Sequence, residues 1–117
     1  MFDLLGIVLL SFNVQVKQMV SDIQPVGKNM PFWSNEIDSR PYSDGEKVWM
    51  KRIVWCESKG NAQDKNKRSS ASGLFQFLNS TFESTCGKLK YKLDGQYQID
   101  CAHKMYKAGR QAEWSCN

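Results

Sequence analysis

Residues 43–60 set the architecture of this 117-residue chain; they read Ser-Asp-Gly-Glu-Lys-Val-Trp-Met-Lys-Arg-Ile-Val-Trp-Cys-Glu-Ser-Lys-Gly. Ser43 and Glu46 have the Ser-x-x-Glu spacing of a capping box, which satisfies free backbone amides at a helix start. The apolar residues that follow recur every three or four positions, as on one face of a helix. Gly60 can adopt the left-handed conformation in which many helices end. The stretch therefore predicts an amphipathic helix over 45–58.

Beyond this helix, polar connections alternate with short helical patterns. Residues 59–72 are polar and basic, which predicts a loop. The segment Ser80-Thr81-Phe82-Glu83 repeats the capping-box spacing and predicts a short helix that ends at Gly87. Residues 88–93 alternate Lys with apolar side chains, a pattern that fits either a short edge strand or an extended loop. A third helix is predicted over 96–108.

The N-terminal part of the chain differs in composition. Within residues 1–19, the run Leu4–Leu10 has the length of a secretory signal core, about 7–15 residues, but Asp3 stands where a basic residue is expected. The run fits a weak signal, a short hydrophobic anchor or an amphipathic helix that packs on the domain. Residues 20–45 contain all three prolines and predict a linker, so the compact domain is expected over 46–117.

Charge is divided unevenly along the chain. Residues 1–46 carry three basic and six acidic side chains, whereas residues 47–117 carry 13 basic and six acidic ones. A basic domain favours a polyanionic partner, which is nucleic acid, anionic lipid or an acidic cell-wall polymer. No apolar run reaches the ~20 residues that a membrane-spanning helix needs, so a polytopic membrane protein is excluded.

The four cysteines all follow residue 55; they are Cys56, Cys86, Cys101 and Cys116, and the only histidine is His103. None of them forms the Cys-x-x-Cys pair typical of zinc sites, so we expect no metal. An even number of cysteines without metal-ligand spacing favours two disulfides and hence an oxidising compartment. Three pairings remain open at this point.

Glu57 lies at the end of the strongly apolar predicted helix, directly after Cys56. Partial burial of a carboxyl group disfavours its charged form and raises its pKa. A carboxylic acid that keeps its proton near neutral pH can act as the general acid in glycoside cleavage. On position alone, however, a salt bridge with Lys59 or Arg52 is the better explanation of Glu57.

The neighbouring segments reverse that preference. Cys56-Glu57-Ser58-Lys59-Gly60-Asn61 is followed by Ser70-Ala71-Ser72-Gly73-Leu74-Phe75-Gln76-Phe77, and Gly73 lies 16 residues after Glu57. Over residues 47–116 this arrangement resembles the lytic transglycosylases and resuscitation-promoting factors of the lysozyme-like superfamily. The resemblance implies a mainly α fold (α+β, lysozyme-like), namely a small helical domain around a cleft, with little or no sheet and stapled by disulfides.

The resemblance also implies residue roles. Glu57 matches the catalytic acid/base, and the residues implied to bind substrate are Ser72, Gly73, Leu74, Phe75, Gln76, Asn66 and Tyr106. Tyr106 is the nearest echo of an Ala-Tyr-Asn-x-Gly segment that many transglycosylases carry and this chain lacks. Gln76 would otherwise serve equally well to satisfy backbone groups in a turn. Relatives with Cys before the Glu often have a second Cys after a Trp near the chain end, which implies the pairs Cys56–Cys116 and Cys86–Cys101.

The implied activity is cleavage of the β-1,4 bond between N-acetylmuramic acid and N-acetylglucosamine in peptidoglycan. Lytic transglycosylases use one Glu, which protonates the glycosidic oxygen and then accepts the proton of the sugar's 6-hydroxyl. A hydrolytic muramidase is the alternative, and a two-carboxylate mechanism needs a second carboxylate about 5–9 Å from the first. No motif places one among the candidates, which are Asp64, Glu83, Asp94 and Asp100.

Two non-enzymatic alternatives remain. A catalytically inactive wall-binding module would keep the same cleft, and a nucleic-acid-binding domain would use Tyr91 and Tyr97 to stack bases. We favour the enzyme, with peptidoglycan glycan strands and anionic wall polymers as partners. We expect a monomer with no cofactor, no metal and no nucleic acid. It is expected to act outside the cytoplasm, as a secreted, periplasmic or envelope-associated protein or on a phage particle.

Overall fold

A computed structural model describes residues 27–116, which form a small, mainly helical domain as predicted. The α-helices of this part of the chain are α1 (Met30–Asp38), α2 (Asp44–Ser58), α3 (Asn79–Thr85) and α4 (Gly95–Lys107). Two short 3₁₀ helices lie at Leu89–Tyr91 and Gln111–Glu113. Isolated β-bridges occur, but residues 27–116 contain no strand.

Helix α2 matches the prediction to within one residue at its start. The Ser43 hydroxyl accepts a hydrogen bond from the Glu46 amide at 3.2 Å and so caps the helix. The Glu46 side chain does not complete the capping box, because it pairs with His103 and Lys107 of α4 instead. At the other end, a Cβ on Gly60 would lie 2.7 Å from the backbone nitrogen of Met30, so this position requires glycine.

Part of the predicted linker is helical. The Asn29 side chain accepts a hydrogen bond from the Phe32 amide and caps α1, and Pro31 lies in the first turn. A proline is tolerated there because a first-turn amide has no partner within the helix. Trp33 and Ile37 are fully buried, so the folded domain extends further toward the N-terminus than residue 46. The predicted segment 1–19 and residues 20–26 lie outside the described residues.

The segment before α4 also differs from its prediction. Helix α3 begins two residues earlier than the Ser80 capping box predicts, with Leu78 at the N-cap, and the amide of Asn79 donates to the Ser70 hydroxyl at 3.0 Å. Residues 88–93 form neither a strand nor an extended loop but contain a 3₁₀ helix. Lys92, one of the three alternating lysines, is buried, so the alternation does not separate a solvent face from a buried face.

The core lies between α1, α2, α4 and the segment 72–77. Its members are Trp33, Ile37, Trp49, Met50, Ile53, Val54, Ala62, Leu74, Phe75, Phe77, Phe82, Ile99, Cys101, Ala102, Met105 and Trp114. Two disulfides, Cys56–Cys116 and Cys86–Cys101, have the pairing that the resemblance implies. The first ties the C-terminus to the end of α2, and the second ties α3 to α4. Among the described helices, none is long and apolar enough to cross a membrane.

Candidate active site

The segment 72–77 is held in place by side chains from three separate parts of the chain. The Ser58 hydroxyl donates to the carbonyl oxygen of Leu74 at 2.9 Å. The indole nitrogen of Trp114 donates to the carbonyl oxygen of Phe75 at 2.8 Å. A buried loop must satisfy its backbone groups in this way, because no water reaches them. The segment is therefore a fixed wall between α2 and the C-terminus.

The third of these side chains is Gln98, which was not singled out from the sequence. It is fully buried, its amide oxygen accepts from the Leu74 amide at 2.8 Å, and its NH₂ group donates to the carbonyl oxygens of Ala62 and Lys92. Gly73 has a φ of 85°, and a Cβ there would lie 2.5–2.8 Å from the Gln98 amide. Gln98 shares the apolar face of α4 with Ala102 and Met105 at helical spacing, which was the available signal.

A cleft of about 270 Å³ opens beside this wall, and we call it the acidic cleft. It is lined by Glu57, Asn66, Ala71, Gln76, Phe77, Leu78, Thr81, Met105, Glu113, Trp114 and Ser115. Three of the predicted site residues are thus brought together, namely Glu57, Gln76 and Asn66. The predicted residues Gly73, Leu74 and Phe75 are buried behind the cleft and support its wall.

Glu57 is a partly buried carboxyl group in this cleft. Burial raises the pKa of Glu57 above its usual value of 4.5. The alternative salt bridge with Lys59 or Arg52 does not form; Lys59 lies over the ring of Trp55, at 4.5 Å from the centroid. No basic side chain among residues 27–116 forms an ion pair with Glu57.

Gln76 lines the cleft but its NH₂ group is occupied. It donates to the carbonyl oxygen of Gly73 at 2.9 Å and to that of Asp64 at 3.3 Å. Its backbone has a φ of 54°, in the left-handed region that a residue other than glycine seldom adopts. Such backbone strain is concentrated at functional sites. With these two hydrogen bonds the side-chain NH₂ group of Gln76 stabilises the turn, and the side-chain oxygen remains to accept a hydrogen bond from a ligand.

A second carboxyl group, that of Glu113, lines the same cleft, and sequence reasoning missed it. Arg110 pairs with both of its oxygens, through Nε and through Nη2 at 3.0 Å, and donates from Nη1 to the Thr85 hydroxyl. The hydrogen bonds from Arg110 lower the pKa of Glu113. The cleft thus holds two carboxyl groups whose pKa values are displaced in opposite directions, which is the arrangement that separates an acid from a base.

The other predicted carboxylates lie outside the cleft. Asp94 caps α4 by accepting from the Gln96 amide at 2.9 Å, and Asp100 accepts from the Tyr42 hydroxyl at 2.9 Å. Asp64 and Glu83 do not line it either. No sequence motif marks these four residues. Glu113, by contrast, lines the cleft because the neighbouring Trp114 and Cys116 attach its 3₁₀ helix to the cleft wall.

Tyr106 is not in the acidic cleft, contrary to its predicted role. It lies in a separate groove with Val48, Arg52 and Gln111, and its ring centroid is 5.2 Å from that of Trp49. The sequence around Tyr106 does not match the Ala-Tyr-Asn-x-Gly segment on which the prediction was based. A contact between Tyr106 and a substrate bound at Glu57 is therefore not supported by the geometry.

Ser72 lines a second groove, which adjoins the acidic cleft. Within residues 27–116, no group of three His, Cys, Asp or Glu side chains is arranged to hold a metal ion. Comparison with known proteins finds no match to a family model, to a curated protein or to a solved structure.

Proposed function

We propose that this protein cleaves the β-1,4 glycosidic bond between N-acetylmuramic acid and N-acetylglucosamine of peptidoglycan, with Glu57 as general acid. The observation that carries the proposal is a partly buried carboxyl group that has no ion-pair partner among residues 27–116, in the wall of a cleft shared with Gln76 and Asn66. A carboxyl group that is desolvated and not paired retains its proton to a higher pH, which general acid catalysis requires.

In the lytic transglycosylase route, Glu57 serves as both acid and base. It transfers its proton to the glycosidic oxygen as the bond from that oxygen to C1 of the muramic acid breaks. The resulting carboxylate accepts the proton of the same sugar's 6-hydroxyl, whose oxygen bonds to C1. The products are a 1,6-anhydro end and a free 4-hydroxyl; Glu57 is protonated again and no water is consumed.

A hydrolytic muramidase is the second candidate, and Glu113 favours it. In this route, Glu57 again protonates the leaving oxygen while a water molecule attacks C1 and gives its proton to Glu113. The bidentate pair with Arg110 keeps Glu113 ionised, as a base must be. The two routes differ in their product, since hydrolysis leaves a reducing end.

The remaining parts of the proposal follow from charge and redox chemistry. Two disulfides in a small domain are typical of proteins exposed to an oxidising compartment, so the proposed site of action is outside the cytoplasm. Exposed basic side chains would attract the anionic strands and polymers of the wall. These are Lys65, Lys67, Arg68, Lys88 and Lys90. We propose that the protein acts as a monomer.

The decisive experiment is Glu57→Gln, assayed on purified sacculi. We expect a loss of about 10²–10⁴-fold in activity, the usual contribution of a general acid, with an unchanged circular dichroism spectrum. Glu83→Gln is the matched control, because Glu83 is an exposed glutamate of α3 outside the cleft, and it should retain wild-type activity. Full activity of Glu57→Gln would overturn the proposal, and no activity in the wild type would favour a binding module.

Mass spectrometry of the released fragments separates the two routes. If Glu113 is the base for water, Glu113→Gln should lose the reducing-end product, while any 1,6-anhydro product persists. If the wild type yields only the anhydro product, Glu113 has no role as a base and the single-Glu route stands.

A further inference from the structure

The groove lined by Ser72 has a different chemical character from the acidic cleft. It has a volume of about 360 Å³, and we call it the basic groove because its charged lining residues are Lys65 and Lys92. It shares Asn66 and Ala71 with the acidic cleft, so the two depressions adjoin. No acidic residue of the described chain lines it.

Lys92 is the unusual residue of this groove. Its side chain is buried, with only 4% of the residue exposed. Its Nζ donates to the carbonyl oxygen of Ser70 at 2.5 Å and to Oδ1 of Asn79 at 2.7 Å. Both acceptors are neutral, and no carboxylate of residues 27–116 forms an ion pair with Lys92. A buried charge is normally paired, whereas this ammonium group meets no counter-charge among the described residues.

One N–H donor of the ammonium group remains available to a ligand. The group carries three N–H donors, and two of them meet Ser70 and Asn79. Desolvation lowers the pKa of Lys92, and a bound anion would oppose that shift. A purely structural role, tying the loop before Ser72 to α3, would explain the two acceptors. It would not explain why a charged donor is buried there, because a neutral donor would meet the same acceptors at a lower desolvation cost.

Two further groups suit an anion at this place. Ser72 is 7% exposed, and its hydroxyl makes no hydrogen bond with a described residue, whereas its backbone is engaged with Lys65 and Phe77. Lys65 is exposed at the rim. An ammonium group, a hydroxyl donor and a second positive charge together match one carboxylate, which accepts strong, charge-assisted hydrogen bonds.

We propose that the basic groove binds a carboxylate of the peptide stem that the muramic acid carries, with Lys92 as its principal ligand. This inference rests on the proposed function. Asn66 and Ala71 line both depressions, so the groove lies next to the place where a strand bound in the acidic cleft would carry its peptide stems. The groove therefore selects strands that bear peptide stems over bare ones.

Binding is tested with the wild-type protein, because a free stem peptide has no glycosidic bond that the proposed activity could cleave. The NMR resonances of the Lys92 side chain are followed during titration with a stem tetrapeptide that has free carboxylates. We expect a saturable shift with this peptide, none with its fully amidated form and none with inorganic phosphate. An equal response to the amidated peptide, or a response to phosphate alone, would overturn the carboxylate assignment.

Activity is tested with Lys65→Met and Ser72→Ala, because Lys92→Met removes two loop contacts and endangers folding. The ratio of kcat/KM on stem-bearing strands to that on stem-free strands should fall about two- to fivefold in Lys65→Met, the range of one exposed charge contact. Lys28→Met is the matched control, since Lys28 is exposed and does not line the groove. An unchanged ratio in both Lys65→Met and Ser72→Ala would overturn the inference.

The two tests separate this inference from the proposed function. If Glu57→Gln remains fully active but the Lys92 resonances respond to the free tetrapeptide, the catalytic proposal fails and the carboxylate site stands. If Glu57→Gln is inactive and the resonances do not respond, the catalytic proposal stands and the groove has no such ligand.

Discussion

The acidic cleft and the basic groove adjoin and have similar volumes, but they are built in opposite ways. The cleft carries Glu57, which is partly buried and has no ion-pair partner in the described part of the chain, and Glu113, which forms an ion pair with Arg110. The groove carries Lys92, which is deeply buried and meets only neutral acceptors. Each region thus presents one ionisable group without a charged partner in the described chain. At Lys92 an anionic ligand would supply the missing charge, whereas at Glu57 burial without a partner favours the protonated form that a general acid needs.

One disulfide is associated with each region, and removing the two disulfides should lower the free energy of unfolding by different amounts. Cys56–Cys116 closes a loop of 60 residues beside Glu57, and Cys86–Cys101 closes a loop of 15 that contains Lys92. In the chain-entropy model, removing them should cost about 4 and about 3 kcal/mol of unfolding free energy, respectively. Urea denaturation of the two double-serine variants measures both values. A greater loss at the shorter loop would contradict this account.

The wall between the two regions is expected to be the next most sensitive feature. Gly73→Ala would place a Cβ against the Gln98 amide and force alanine into a left-handed backbone. We expect a loss of about 2–5 kcal/mol, from about 1–2 for the backbone and about 1–3 for disturbed buried hydrogen bonds.

Gly109→Ala is the control for that substitution. Gly109 also has a positive φ, of 72°, but a Cβ there would meet no atom within 4 Å, so only the backbone cost of about 1–2 kcal/mol applies. Chemical denaturation distinguishes the two variants. Equal losses in the two variants would mean that the clash between the added Cβ and Gln98 contributes nothing to the cost of Gly73→Ala.

Features set by local sequence could be predicted, whereas features set by contacts between distant residues could not. Helices α2 and α4 begin and end within one residue of their predicted limits, because caps and apolar periodicity are local. Glu57 and Gln76 were found because a local motif marks them. Glu113 was missed, because its place in the cleft depends on a disulfide between residues 60 positions apart.

The basic groove could not be predicted for a related reason. The alternating pattern of residues 88–93 does not indicate that Lys92 is buried, yet it follows a 3₁₀ helix and its ammonium group contacts Ser70 and Asn79. The prolines of residues 20–45 likewise suggested a linker, whereas Trp33 packs against Gly95 of α4. Both outcomes are set by contacts between distant segments, which neither composition nor periodicity records.

The pH dependence of activity tests the two carboxyl groups of the acidic cleft. As a general acid, Glu57 is active when protonated, so kcat/KM should fall as the pH rises through its raised pKa, above 4.5. If Glu113 is the base, activity should also fall as the pH drops through its lowered pKa, below 4.5. The acidic limb should then be absent from the residual activity of Glu113→Gln. An alkaline limb at or below pH 4.5 would contradict the role of Glu57.

The smallest expected effect is on stability, and it has opposite signs at the two glutamates. The folded-state pKa of Glu57 is raised, so its contribution to stability is present at low pH and is lost as the pH rises through that value. Glu57→Gln should therefore be more stable than the wild type at pH 7, with the difference vanishing in acid. The folded-state pKa of Glu113 is lowered, so its contribution is present at pH 7 and is lost as the pH falls.

Glu113→Gln should accordingly be less stable than the wild type at pH 7, by a few tenths of a kcal/mol, about the value of an exposed ion pair. That difference should also close in acid, as Glu113 becomes protonated in the wild type. Denaturation curves of the wild type and both variants at pH 7 and pH 3 measure the four differences. The same sign for both variants at pH 7 would show that the cleft does not separate its two carboxyl groups, because only opposite displacements of their pKa values give opposite signs.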